Sequence, residues 1–287
     1  MIRMLAFGAA LLPGSAAAQT LEFSGSTAPV FRVGVSELTA GTTTLGFGVS
    51  NRAVDASAAT GIDLSVAGTV TLRTAAAVNF GGGWTVSGSV NGTVGPVALS
   101  VQSALWTAPL RSFDPLADVR QEATSTRSAG FQVDASGRYR LQRNLQLLAD
   151  ASVSAQSNVG LGAEWRDGPL SYRAGGRVGS NVLGVTGGLT VRQDDLTLTV
   201  DALLGPSSVG VVGSVSLADP LPLPSSLRLY GAYEPWRVDA SSVRYGVILT
   251  TELGPGTLTA EARGTTGRFG ARVGFALPVG PRDDEEE

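Results

Sequence analysis

One pattern dominates this chain. Apolar and polar residues alternate one by one over segments of about nine to eleven residues, and short turn-forming stretches separate the segments. The run GIDLSVAGTVTLRTAAAV at 61–78 shows it: Ile62, Leu64, Val66, Val70 and Leu72 alternate with Asp63, Ser65, Ala67, Thr69, Thr71 and Arg73. Successive side chains of a strand point to opposite faces, so period two builds a strand with one apolar and one wet face. The alternation returns at 31–35, 45–49, 84–90, 97–101, 131–141, 145–153, 159–165 and 170–178. It continues at 183–191, 196–204, 209–217, 227–229, 243–249, 258–262 and 269–277, which makes about sixteen segments in all. Turn signals lie between them, among them Asp167-Gly168-Pro169, Gln193-Asp194-Asp195 and Gly254-Pro255-Gly256.

The N-terminus departs from this pattern. Arg3 is followed by an apolar run over 4–12, then Pro13-Gly14 and the small residues Ala16-Ala17-Ala18 before Gln19. Residues 1–18 read as a secretory signal peptide, too short to span a bilayer as a helix. The expected product is an exported chain beginning near Gln19, with a single strand-rich domain over 19–277 and an acidic, solvated tail over 278–287.

Composition excludes chemistry more firmly than it suggests any. The chain has no histidine, no cysteine and no lysine; all 21 basic residues are arginine. Histidine general bases, thiol nucleophiles, His/Cys zinc sites, Schiff-base lysines and phosphate-loop lysines have no residue to build on. The reading is a non-enzyme without cofactor or metal. A net charge of −3 and the lack of any basic stretch interleaved with aromatics argue against a nucleic-acid partner.

The apolar faces are light, built of Val, Leu, Ala and Gly, and opposite them lie Gly, Ser and Thr studded with Arg, Asp and Glu. Sixteen hairpin-linked strands are too many for one sandwich, and an open sheet of that size would expose its edges. Closure into a barrel removes the edges; the greasy face then meets lipid and the wet face lines a lumen. In this the sequence resembles the outer-membrane β-barrel class of diderm bacteria, in the porin-like size range. The resemblance implies an all-β, antiparallel up-and-down transmembrane barrel of about sixteen strands (range 12–16), in contact with the outer-membrane bilayer and passing small polar solutes. It leaves the oligomeric state open. Trp84, Trp165, Tyr172, Tyr245, Phe269 and Phe275 fall on the outward face, where interfacial aromatics belong. The competing reading is a secreted or surface-attached β-solenoid whose apolar face is buried inside.

This register gives a lumen-facing set: Arg138, Arg140, Asp150, Glu164, Arg166, Arg173, Arg177, Arg244, Glu261, Arg263, Arg268 and Arg272. An Arg facing hydrocarbon at the midplane costs roughly 2–4 kcal/mol, so the segregation supports the register. These groups either pair across strands and stiffen the wall or line a passage, where an Arg excess would favour anions weakly. The long segment at 106–128 has two prolines and no alternation, and carries Arg111, Asp114, Asp118, Arg120, Glu122 and Arg127. It is the candidate constriction loop, with a surface loop as the alternative. If both termini share one side, parity puts this segment, 205–208, 234–242 and 264–267 at one end, and the turns at 167–168, 194–195 and 254–256 at the other.

Overall fold

The computed structural model describes residues 19–27, 30–65, 68–206 and 208–279. The expected signal peptide at 1–18 and the acidic residues from 280 onward lie outside that set. The strands in chain order are β1 (Gln19–Ser26), β2 (Phe31–Ala40), β3 (Thr43–Ser50), β4 (Ala53–Asp63), β5 (Thr69–Asn79) and β6 (Trp84–Val94). Next come β7 (Val97–Trp106), β8 (Gly130–Arg140), β9 (Leu145–Val153), β10 (Asn158–Asp167), β11 (Leu170–Gly179) and β12 (Val182–Gln193). The last six are β13 (Leu196–Leu204), β14 (Val209–Ala218), β15 (Ser225–Tyr233), β16 (Val243–Leu253), β17 (Gly256–Thr265) and β18 (Arg268–Val279).

Every strand pairs antiparallel with its neighbours in sequence, and β1 pairs with both β2 and β18. The sheet therefore closes into an eighteen-stranded up-and-down barrel with no free edge. The two strands beyond the expected sixteen are β1 and β4. Only Leu21 and Phe23 supply bulk to the outward face of β1, and β4 carries Ala56 and Ala58 where β3 carries Phe47 and Leu45. Weak alternation hid both, and the hydrogen-bond ladders of β3 and β5 hold β4 as a strand all the same. The run at 61–78 is accordingly two strands: Ile62 ends β4, and Val70, its partner across the turn, begins β5. Val66 lies outside the described residues. At the other end β18 runs on through Pro278 and Val279, which pair with Thr20 and Gln19, so the barrel extends two residues past the expected boundary at 277.

The distribution of side chains is the inverse of a water-soluble domain. Phe31, Leu161 and Phe269 are about two-thirds exposed on the outside, whereas Glu164, Arg244 and Glu261 are buried on the inside. Outward aromatics gather near both rims: Trp84, Phe131, Tyr233, Tyr245 and Phe269 at one, Tyr139, Trp165 and Tyr172 at the other. The two ends differ. Connections after odd-numbered strands include those at 107–129 and 234–242, the longest in the barrel. Those after even-numbered strands span at most the six residues of 219–224, and both barrel termini lie at that end. These are here termed the loop end and the turn end, and the parity expected from the sequence holds for every connection it assigned.

Candidate functional site: the lumen

The inner wall has two unlike halves. From β3 to β7 the inward positions are mostly small: Gly46, Ser57 and Ala59, then Ala75, Ser87, Ser89 and Ala104. Arg73 is the one arginine there. From β10 to β18 nine arginines face inward, and most are tied to carboxylates.

Two of these ties, and a third between β2 and β4, share a local design. Arg173 on β11 pairs with Asp201 on β13 at 2.8 Å, and between them on β12 stands Gly188. Arg177 on β11 pairs with Asp150 on β9 at 2.5 Å, across Gly160 of β10. Arg32 on β2 reaches Asp55 on β4 at 2.7 Å across Gly48 of β3. In each case the ion pair lies flat over the intervening strand, and the glycine leaves the room. A Cβ at Gly160 would sit 2.5 Å from Asp150 Oδ1, and one at Gly188 would collide with Asp201. The remaining pairs are more local. Arg166 binds Glu164 at 2.7 Å, with Arg173 3.9 Å from the same carboxylate. Glu261 accepts from both Arg263 and Arg272. Arg138 and Arg140 differ: both are exposed near the turn end of β8 and form no ion pair among the described residues.

The segment between β7 and β8 enters the lumen. Trp106 is buried at its base, and its indole N–H donates to the carbonyl of Arg127 at 3.2 Å. Two short 3-10 turns follow, Leu110–Ser112 and Ala117–Val119, and Leu116 to Val119 are buried. β7 and β16 stand nine places apart on a ring of eighteen, which is diametrically opposite. Such a ring, with strands about 4.8 Å apart and tilted about 40°, is on the order of 35 Å across. The segment crosses it and docks on β15 to β18. Tyr230 donates its hydroxyl to Val119 O at 2.6 Å. Arg244, the most deeply buried charge, donates to the carbonyls of Arg120 at 3.1 Å, Gln121 at 3.2 Å and Ser241 at 2.6 Å, and pairs with Glu234. Arg268 holds Asp118 and donates to Pro115 O at 2.6 Å, while Arg272 lies 3.2 Å from Asp114.

Burial pushes the Asp114 carboxyl upward, but Arg272, Arg120 and the Leu116 backbone N–H outweigh it and hold the group below its ordinary value. The same balance acts on Glu234 in the connection between β15 and β16: burial opposes, and Arg237 and Arg244 win. That second connection also folds inward. Trp236 packs on Val182 and Leu203 with the Arg237 guanidinium 4.2 Å from its ring centre, and Asp239 meets Arg127 of the crossing segment at 2.8 Å.

The crossing segment divides the lumen. On the side of β2 to β8 a cavity of about 1040 Å³ runs from Thr85 and Trp106 near the loop end to Glu37 and Asn91 toward the turn end. Two smaller spaces remain, about 490 Å³ between β17–β18 and β1–β5 beside Arg32 and Arg272, and about 230 Å³ against β9 to β14 beneath Trp236.

Of the residues singled out from the sequence, Asp114, Asp118 and Arg120 sit in the crossing segment and bind the wall or each other, with Arg120 and Asp114 at 2.6 Å. Glu122 is exposed and lines the large cavity. Arg111 is exposed and forms no ion pair among the described residues. The sequence reading passed over Tyr230, Glu234, Trp236 and Glu37. Glu37 is the most instructive. A bulge in β2 sets both Ser36 and Glu37 opposite Gly46, with Glu37 at φ 61°, and turns its carboxylate into the cavity. Strict alternation would have pointed it at lipid.

Neither a protein-family model nor a characterised protein sequence matches the chain. Among solved structures it is similar to OccK10 (OpdN) of Pseudomonas aeruginosa, at 10% identity and a TM-score of 0.49, covering 92% of this chain and 99% of that one. It is also similar to a triple mutant of the Rhodopseudomonas blastica porin, at 11% identity and a TM-score of 0.46, with the same coverage. The likeness lies in the barrel.

Proposed function

We propose that this protein is a passive diffusion channel of the outer membrane, passing small polar solutes through the half of its lumen bounded by β2 to β8. One observation carries the reading: a closed barrel with an apolar outside retains a Ser- and Thr-rich space of about 1040 Å³ beside a segment that only partly fills the lumen. Barrels of about sixteen to eighteen strands leave aqueous channels unless plugged, and here the plug is partial. The crossing segment acts as the constriction, narrowing the lumen while its anchors fix where the opening lies. The leader at 1–18 supports export and the apolar belt supports residence in a bilayer. A buried-core solenoid has no use for such an exterior.

Anion preference was the expectation for an arginine-rich lumen. It required those guanidinium groups to face the water unopposed. Arg173, Arg177, Arg244, Arg263, Arg268 and Arg272 all lie against carboxylates, so in this reading they brace the wall and the constriction and leave the selectivity to other groups.

The test is purified protein in planar bilayers. Stepwise, ohmic conductance increments are expected, together with extraction only in detergent. A purified, heat-modifiable barrel that inserts without conducting would overturn the channel reading and leave a structural role.

A further inference from the structure

The large passage has its own charge, distinct from that of the arginine wall. Six charged residues line it: Glu37, Arg73, Asp114, Arg120, Glu122 and Asp134. Arg120 and Asp114 pair at 2.6 Å, and Asp114 is shared with Arg272, which lies outside the passage lining. What is left is three carboxylates, Glu37, Glu122 and Asp134, against the single guanidinium of Arg73. None of these four belongs to an ion pair among the described residues. Two of the carboxylates accept hydrogen bonds from neutral donors: Thr20 donates to Glu37, and the Gln132 amide donates to Asp134 at 2.6 Å.

They also come from three different parts of the structure: a bulge on β2, the returning limb of the crossing segment, and the wall strand β8. A permeating ion therefore meets negative charge from more than one side. We infer that the open passage favours cations over anions, with Glu37, Glu122 and Asp134 as the selecting residues. The inference rests on the channel reading above and gives it a solute class: small inorganic cations and small polar molecules with net positive charge.

Arg111, Arg192 and Arg228 also lack an ion pair among the described residues but lie outside the passage lining, whereas Arg138 and Arg140 share a strand with Asp134. They stand on β8 beyond Asp134, toward the turn end, and are not part of the passage lining. Four residues along a strand is about 13 Å. At about 0.1 M salt the Debye length is about 10 Å, so Arg138 acts on an ion beside Asp134 only weakly. Asp134 acts at contact range.

The experiment is a reversal potential across a potassium chloride gradient with both sides near 0.1 M or above. A net excess of two negative charges at the wall of a water-filled passage predicts a potassium-to-chloride permeability ratio of roughly three. Replacing Glu122→Gln together with Asp134→Asn should bring the ratio to about one, since the charge excess disappears. Arg73→Gln should move it the other way. All three residues face water and hold no ion pair, so the barrel should assemble in each variant, and unchanged heat-modifiable migration checks this. Chloride preference in the unaltered protein, or a ratio that ignores both variants, overturns the inference while leaving a channel. Absence of any conductance overturns the channel reading itself, and this inference with it.

Discussion

The two halves of the inner wall obey the same backbone rules and reach opposite results. Between β3 and β7 the inward side chains are short, the strands touch little but each other, and space remains. Between β10 and β18 the inward side chains are long and charged, and they fill the lumen by holding one another and two inward-folded connections. Burying charge is costly unless partners replace the lost water. Arg244 meets that requirement with three carbonyls and a carboxylate, and does so by drawing a segment of chain across the full lumen. Occupancy of the lumen therefore follows from where the unpaired charge was. The sparse half carries only a few charges, which stay in water, and nothing is drawn into it.

The contrast can be broken most directly at Arg244. Arg244→Met leaves the Arg120 and Gln121 carbonyls without their donor in a buried site and Glu234 with Arg237 alone, a loss of about 3 kcal/mol or more in anchoring the crossing segment. The expected readout is larger and noisier single-channel conductance in a barrel that still migrates as folded. Conductance unchanged from the parent would show that the segment is held by its own turns and that the wall arginines are bystanders.

A matched pair of glycine substitutions sharpens it. Gly188 lies under the Arg173–Asp201 pair, whereas a Cβ at Gly61, on the sparse wall, would meet nothing within 4 Å. Gly188→Val should lower the temperature at which the heat-modifiable band converts, by the equivalent of about 1–3 kcal/mol of overpacking. Gly61→Val should leave that temperature close to the parent's. Equal effects of the two would mean that the halves do not differ in packing.

The smallest effect is acid sensitivity, and it should appear on the filled side only. Asp114 and Glu234 are held below their ordinary values in the folded protein. Their stabilising contribution is then complete above the ordinary carboxylate range and fades as pH falls through the lowered values. Both inward connections should therefore stay anchored at neutral and mildly acid pH and loosen only below about pH 4. Trp106 and Trp236, buried at these connections, report the change by fluorescence against the lipid-facing Trp84 and Trp165. A transition between pH 5 and 7 would argue that some other group controls them.

The sequence alone determined the fold class, the inward and outward faces of most strands and the parity of the two ends. All of these follow from a side-chain period of two and the cost of exposing charge to hydrocarbon. It also marked 106–128 as the exceptional connection, because prolines and mixed charge there interrupt a pattern kept nearly everywhere else. It undercounted the strands where alternation was too light to read: β4, built on Ala and Ser, is a strand because its neighbours offer two complete hydrogen-bond ladders. What only the tertiary structure decided is which charges remain free. Arg173 and Asp201 are 28 residues apart, Arg268 and Asp118 are 150 apart, and nothing local links either pair. Glu37 reaches the passage only through a bulge that shifts the face by one residue. Periodicity is a local property and assigns each side chain to a face. Net charge along a passage is a sum over partners brought together by closure of the ring, and only the closed barrel fixes which arginines have found theirs.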